Sequence, residues 1–149
     1  MKDPVSLLIR NKLNALPPEA PIREAISNMR ERTLSYTVVC KDEQFLGLIN
    51  ERDLIELASK GQLDVGAPVD SIMRDYPVKA EMDDSISSAV MKMYKTGFKH
   101  LPVLDPATKK VVGVVSTYDF VYHLIEYFPE TVYNVIPGQE HSTESREGA

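Results

Sequence analysis

The sequence predicts an α+β protein made of two pseudo-symmetric repeats, each running short strand, helix, strand, strand, helix. The first observation is a constant offset of 64 residues. It aligns Val5–Arg10 with Val69–Arg74, brings Ile22, Ala25 and Met29 onto Ile86, Ala89 and Met93, and Val39 onto Val103. The second is a single break in that offset. Two extra residues enter in the polar stretch Asp105–Lys110, after which an offset of 66 brings Gly47 and Asp53 onto Gly113 and Asp119. The third is that helical and β-type patterns follow one another in the same order in both copies. Two copies predict a pseudo-symmetric pair, not a solenoid, which needs at least three repeats.

Each element has its own signature. Ile22, Ala25, Ile26 and Met29 recur at helical spacing behind Pro21, which predicts an amphipathic helix opening there. Ile86, Ala89, Val90 and Met93 repeat it, with Asp84 or Ser85 as N-cap and Gly97 as the stop. Two β-branched runs separated by a polar turn follow in each copy: Tyr36–Cys40 with Phe45–Ile49, and Leu101–Leu104 with Val111–Val115. Each pair reads as a hairpin. Second helices are predicted over Asp53–Ser59, ahead of Gly61, and over Tyr118–Tyr127, ahead of Pro129. The repeats are placed at residues 1–62 and 63–130. The segment 131–149 is expected to be a tail, disordered from Gln139 onward, where the chain is polar and aperiodic.

Composition narrows the function classes. The chain has 149 residues, 43% hydrophobic and 26% charged, and a net charge of −5. With no long basic run, nucleic-acid binding is not expected, although a small basic pocket is compatible with an acidic chain. Cys40 is the only cysteine, so no internal disulfide forms, and a small buried hydrophobe is its expected role. The apolar run Val5–Ile9 is too short for a signal-peptide core, and no segment approaches a membrane span. A cytoplasmic location is expected.

The second copy contains Lys99-His-Leu-Pro-Val-Leu-Asp105 followed by Gly113-Val-Val-Ser-Thr-Tyr-Asp119-Phe120. These motifs resemble those of a CBS domain. The first copy is a weaker match: Thr37-Val-Val39 replaces the Leu-Pro-Val element, and Gly47-Leu-Ile-Asn-Glu-Arg-Asp53 carries Asn50 where the pattern has Ser or Thr. The resemblance covers about residues 5–127. It implies a paired (Bateman) module: two halves packed through their sheets, with two clefts between them that commonly hold adenosyl ligands.

Read without the resemblance, Ser116-x-x-Asp119 at the start of a helix is a capping-box spacing. A carboxylate held there is also able to accept from both hydroxyls of a ribose. Both readings stay open. The resemblance implies the second, with Asp119 holding the ribose and Ser116 and Thr117 beside it. Asp53 and Asn50 are their counterparts in the first copy, where the amide puts the site in question. The resemblance further implies that basic residues of one repeat face the phosphate of a ligand held by the other. Arg52 would then serve a ligand on Asp119, while Lys99 and His100 would serve one on Asp53. The adenine would lie against the strand entering each repeat, Tyr76, Val78, Lys79 and Ala80 in the second and residues 12–16 in the first, with Met82 and Pro102 as apolar walls. Val78 and Met82 read equally well as core.

No dinucleotide, phosphate-loop, zinc or nucleophile-elbow motif occurs, and the three histidines are far apart in sequence. His123 is expected to pack or face solvent rather than bind metal. No catalytic residue and no metal are expected. The reading is a non-enzymatic regulatory module that binds AMP, ADP or ATP and signals to a separate effector protein. A ligand-free dimerisation module, or a sensor of S-adenosylmethionine or NAD(H), is the alternative. A homodimer is expected through the second helices, where Leu54, Leu57, Phe120, Leu124 and Ile125 exceed the needs of a small core.

Overall fold

The computed structural model describes residues 1–127; the predicted Pro129 stop, the tail and His141 lie outside the described residues. The first repeat supplies β1 (Ala15–Leu16), α1 (Ile22–Arg32), β2 (Tyr36–Lys41), β3 (Gln44–Asn50) and α2 (Glu51–Ser59). The second supplies β4 (Ala80–Glu81), α3 (Ile86–Thr96), β5 (His100–Leu104), β6 (Val111–Ser116) and α4 (Thr117–Tyr127). Each half forms a three-stranded sheet, ordered β1-β2-β3 or β4-β5-β6, with a parallel first pair and an antiparallel second. The predicted α+β pair of repeats is the observed architecture.

The helices bury the residues their spacing marks. Ile22, Ala25 and Met29 of α1, and Ile86, Ala89 and Met93 of α3, lie in two separate cores. Ser85, not Asp84, caps α3: its hydroxyl accepts from the Ser88 N–H, while Asp84 accepts from the Glu81 N–H. Gly97 ends α3 at φ 74°, the left-handed conformation that a glycine adopts without steric cost. Cys40 is half-buried at a bulge in β2, and burial pushes its thiol up to about 11, so it stays protonated and inert.

The leading segment of each repeat closes the core of the other. Val5 and Leu8, in a 3-10 turn at Val5–Leu8, pack with Ile86, Leu101 and Val115. Val69 packs with Ile22, Val39 and Ile49. The backbone repeats the exchange. The Val5 N–H donates to the Asp84 carbonyl (2.7 Å) and the Ile86 N–H to the Asp3 carbonyl (2.9 Å). Equivalently, Val69 donates to Ala20 (2.8 Å) and Ile22 to Ala67 (2.9 Å). A fully buried aliphatic side chain is worth about 1.5–3 kcal/mol, so Val5 and Val69 each bind one half to the other. A third cluster (Tyr36, Val38, Leu48, Tyr76, Val114) joins the two sheets.

Candidate functional site

The turn from each last strand into the following helix sets the geometry of the motif aspartates. In the second half the capping box is complete. Ser116 Oγ accepts from the Asp119 N–H (3.2 Å), while Asp119 Oδ2 accepts from the Ser116 N–H (2.8 Å) and hydroxyl (3.1 Å). Among the described residues, Oδ1 of Asp119 accepts no hydrogen bond and the carboxylate makes no ion pair. In the first half only one arm of the box forms. Asn50 Oδ1 accepts from the Asp53 N–H (2.9 Å), but the Asp53 side chain does not answer. Its Oδ1 pairs instead with Arg74 Nε at 2.7 Å, and its buried Oδ2 has no partner.

Beside Asn50 a cavity of about 300 Å³ opens between the halves. It draws Asn50 and Arg52 from the first repeat, Lys99 and His100 from the start of β5, and Arg74 and Tyr76 from the segment linking the repeats. Tyr76 and Phe98 stack with ring centroids 5.0 Å apart and give it an aromatic wall. Arg52, Arg74 and Lys99, against the one lining carboxylate of Glu51, give it a net positive lining within an acidic chain, although Arg74 is already paired with Asp53. His100 is buried: its ring lies 5.1 Å from that of Tyr36, and its Nε2 lies 3.3 Å from Ser35 Oγ. Burial, with the neighbouring Lys99 charge, lowers its pKa to about 4, so it enters the site as a neutral ring.

Five of the residues singled out in the sequence therefore share one cavity: Asn50, Arg52, Tyr76, Lys99 and His100. Arg52 stands with Lys99 and His100, so the two sets of bases assigned to different ligands line a common space. The others lie elsewhere. Val78 packs against the second core together with Met82, and Ala80 is buried in β4. Pro102 is buried in β5 opposite Val114. Lys79 lies over the Phe45 ring, and its carbonyl accepts from Lys92 Nζ. Thr117 opens α4, and its N–H donates to the Lys99 carbonyl. His123 is buried and stacks on Tyr127. Among the described residues, no cluster of His, Cys, Asp or Glu is arranged to hold a metal, and no helix is long and apolar enough to cross a membrane.

Glu51, Arg74 and Phe98 line the site and lie outside the sequence expectations. Arg74 is the partner of Arg10 in the repeat alignment, but nothing in the spacing says that it crosses onto the first half. Phe98 adjoins Lys99 and carries no signal of its own.

The CBS domain family matches residues 3–60 and 69–126. The chain belongs to that family. An uncharacterised 17.7 kDa protein of Acidianus ambivalens is 30% identical over 85% of this chain and 76% of its own length. Three other curated relatives are longer than their match: the chain spans 57%, 42% and 22% of their lengths, the last being an inosine-5'-monophosphate dehydrogenase of Thermoplasma acidophilum. Among solved structures, the CBS domain protein PAE2072 of Pyrobaculum aerophilum, complexed with AMP, has a TM-score of 0.71 at 24% identity. That likeness covers 78% of this chain and 88% of the other. CBSX2 in complex with AMP gives 0.72 at 21% identity, over 83% of this chain and 97% of its own. Both are likenesses of fold.

Proposed function

We propose that this CBS pair is a regulatory module that binds an adenine nucleotide between its halves and passes its occupancy on to a separate partner protein. The observation that carries the reading is the shared cavity. Its cations come from both halves, so a phosphate placed there contacts Arg52 of one and Lys99 of the other. Binding then ties the repeats together, and their relative tilt reports occupancy. The Tyr76–Phe98 wall suits a flat base, since stacking on aromatics is tolerant of base identity. Asp119 is not among the residues that line this cavity; with Oδ1 free at the start of α4 it suits the ribose diol of a ligand held beside the second half. Two structural relatives solved in complex with AMP add support from outside the chain.

The same reading includes a homodimer. Apolar grooves lie between α1 and α2 and between α3 and α4, and Ile55, Tyr94, Val121 and Ile125 are exposed around them. Light scattering is expected to give twice the chain mass of 16.7 kDa; a monomer at micromolar concentration would remove this part.

Calorimetry with AMP, ADP, ATP, S-adenosylmethionine and NAD tests the ligand class. AMP is expected to bind, Asp119→Ala to abolish the tighter event, and Asp53→Ala to leave it. Arg52→Ala is expected to weaken AMP by about 1.5–3 kcal/mol and adenosine hardly at all. Absence of binding by every adenosyl ligand would leave the ligand-free dimerisation module.

A further inference from the structure

The two motif aspartates have equivalent arginines beside them, paired differently. Arg10 and Arg74 correspond at the offset of 64, and each crosses onto the other half beside that half's motif aspartate. Arg74 sits on Asp53. Arg10 is close enough to Asp119 for the two charges to interact, yet it pairs with Glu126 at 2.9 Å and lies over the Tyr122 ring. At the offset of 66, Glu56 and Lys60 correspond to the Tyr122 and Glu126 that Arg10 contacts. Glu56 is close enough to Arg74 for their charges to interact, but its Oε1 is paired with Lys60 at 3.0 Å, and Lys60 puts a cation where the second half has the carboxylate of Glu126. Arg74 therefore falls back on Asp53, whereas Glu126 draws Arg10 aside.

This pairing occupies the carboxylate that a ribose would need. The cost is visible in Asp53 itself: its side chain is only 8% exposed, and Oδ2 has neither a protein donor nor solvent. A buried acceptor without a donor is unfavourable, and a hydroxyl reaching Asp53 would relieve it. Arg74 is the exposed member of the pair. Its side chain is 56% exposed and lines the cavity that holds Arg52 and Lys99.

We propose that Arg74 is the specificity-determining residue of the first cleft: it holds Asp53 shut against uncharged ribosides and yields it only to a ligand whose phosphate takes the guanidinium over. The proposal rests on the reading of the clefts as nucleotide sites and adds the ligand class of one of them. A bare nucleoside has to displace Arg74 and leaves it unpaired. A nucleotide offers the guanidinium a bidentate acceptor in exchange for the carboxylate. The second cleft, with Arg10 held on Glu126, carries no such requirement.

The test uses the full chain with Asp119→Ala to silence the second cleft, titrated calorimetrically with AMP and with adenosine. Adding Arg74→Ala is expected to tighten adenosine about tenfold and to weaken AMP by a similar factor. Lys60→Glu gives Arg74 the alternative that Glu126 gives Arg10. It is expected to tighten adenosine with the arginine still in place, which separates release of Asp53 from any loss of folding. Adenosine binding that weakens or stays constant in both variants overturns the proposal. So does an Asp119→Ala protein that binds neither ligand, with or without Arg74. In that last case AMP binding by Asp53→Ala still upholds the nucleotide reading, and its absence there removes that reading as well.

Discussion

Asp53 and Asp119 occupy equivalent places in the two repeats, each buried at the start of a helix that follows a strand. They meet different surroundings. Asp119 is tied into a complete capping box and keeps one oxygen free, whereas Asp53 is half-tied, paired with a cation and left with an orphaned oxygen. The difference traces to three substitutions between the copies: Asn50 for Ser116, Glu56 for Tyr122 and Lys60 for Glu126. None of them alters the fold. The backbone symmetry of a duplicated module thus fixes where a binding carboxylate stands. The residues around it, on the cap and further along the helix, decide what occupies it.

The pseudo-axis gives the largest expected effect. His100 and Tyr36 correspond at the offset of 64 and meet with their rings tilted at 55°, so a tyrosine and a histidine share one buried place. An unfolded histidine takes its proton near pH 6.5 and the folded His100 only near 4. The unfolded state thus binds more protons in between, and stability is whole above about pH 6.5 and falls as the pH drops toward 4. The loss at full protonation is on the order of 3 kcal/mol. Urea melts at pH 7 and pH 4 measure it. In His100→Tyr, which makes the axis symmetric, the acid-sensitive part should vanish; an unchanged pH profile would clear His100 of the effect.

Next in size are the two glycines under the crossing segments. A Cβ on Gly47 would stand 2.7 Å from the Arg74 carbonyl oxygen, and one on Gly113 would stand 2.9 Å from the Ile9 side chain. Backbone gives way less easily than a flexible side chain. Gly47→Ala is therefore expected to cost about 2–3 kcal/mol and Gly113→Ala about 1 kcal/mol. Chemical denaturation of both variants reads the order, and equal costs would show that the two crossings are packed alike.

Much of this is legible in the sequence, for local reasons. Helical spacing names the buried faces of α1 and α3, and Gly97 marks the end of α3. The Ser116-x-x-Asp119 spacing names the capping box that forms. What is not legible depends on long-range contact. The repeat alignment pairs Val5 with Val69 but is silent on which core each enters, because both assignments bury the same residues. The aromatic wall and the Arg74–Asp53 pair arise from that exchange, so Phe98 and Arg74 carry no pattern of their own. The resemblance points to Lys79, Ala80 and Pro102; the Lys79 side chain lies over Phe45, Ala80 and Pro102 are buried, and none of the three lines the cavity.

The charge at the end of α4 provides a direct way to erase the difference between clefts. In Glu126→Lys, Arg10 loses its partner and meets a like charge, as Arg74 does beside Lys60. The guanidinium is then expected to fall onto Asp119 and weaken adenosine at the second cleft about tenfold, roughly 1.4 kcal/mol. Calorimetry on the Asp53→Ala background isolates that cleft. Unchanged adenosine affinity would mean that Arg10 is held by the Tyr122 ring rather than by Glu126.

The smallest expected effect comes from restoring the missing arm of the first capping box. Asn and Ser are similar in strength as N-caps, so Asn50→Ser leaves the bond from the Asp53 N–H to position 50 in place. What it adds is a hydroxyl donor of the kind that Ser116 gives Asp119 Oδ2. An unsatisfied buried acceptor costs about 1–3 kcal/mol, and part of the Asn50 contact to the cavity is given up in exchange. The net is a gain of less than about 1 kcal/mol. Urea denaturation resolves a difference of that size when the slopes are equal. Arg74 is paired with the other oxygen, so the ion pair should persist and adenosine should still be refused by the first cleft. An Asn50→Ser protein that gained stability and also bound adenosine more tightly would show that the orphaned oxygen, rather than the arginine, had kept the cleft closed.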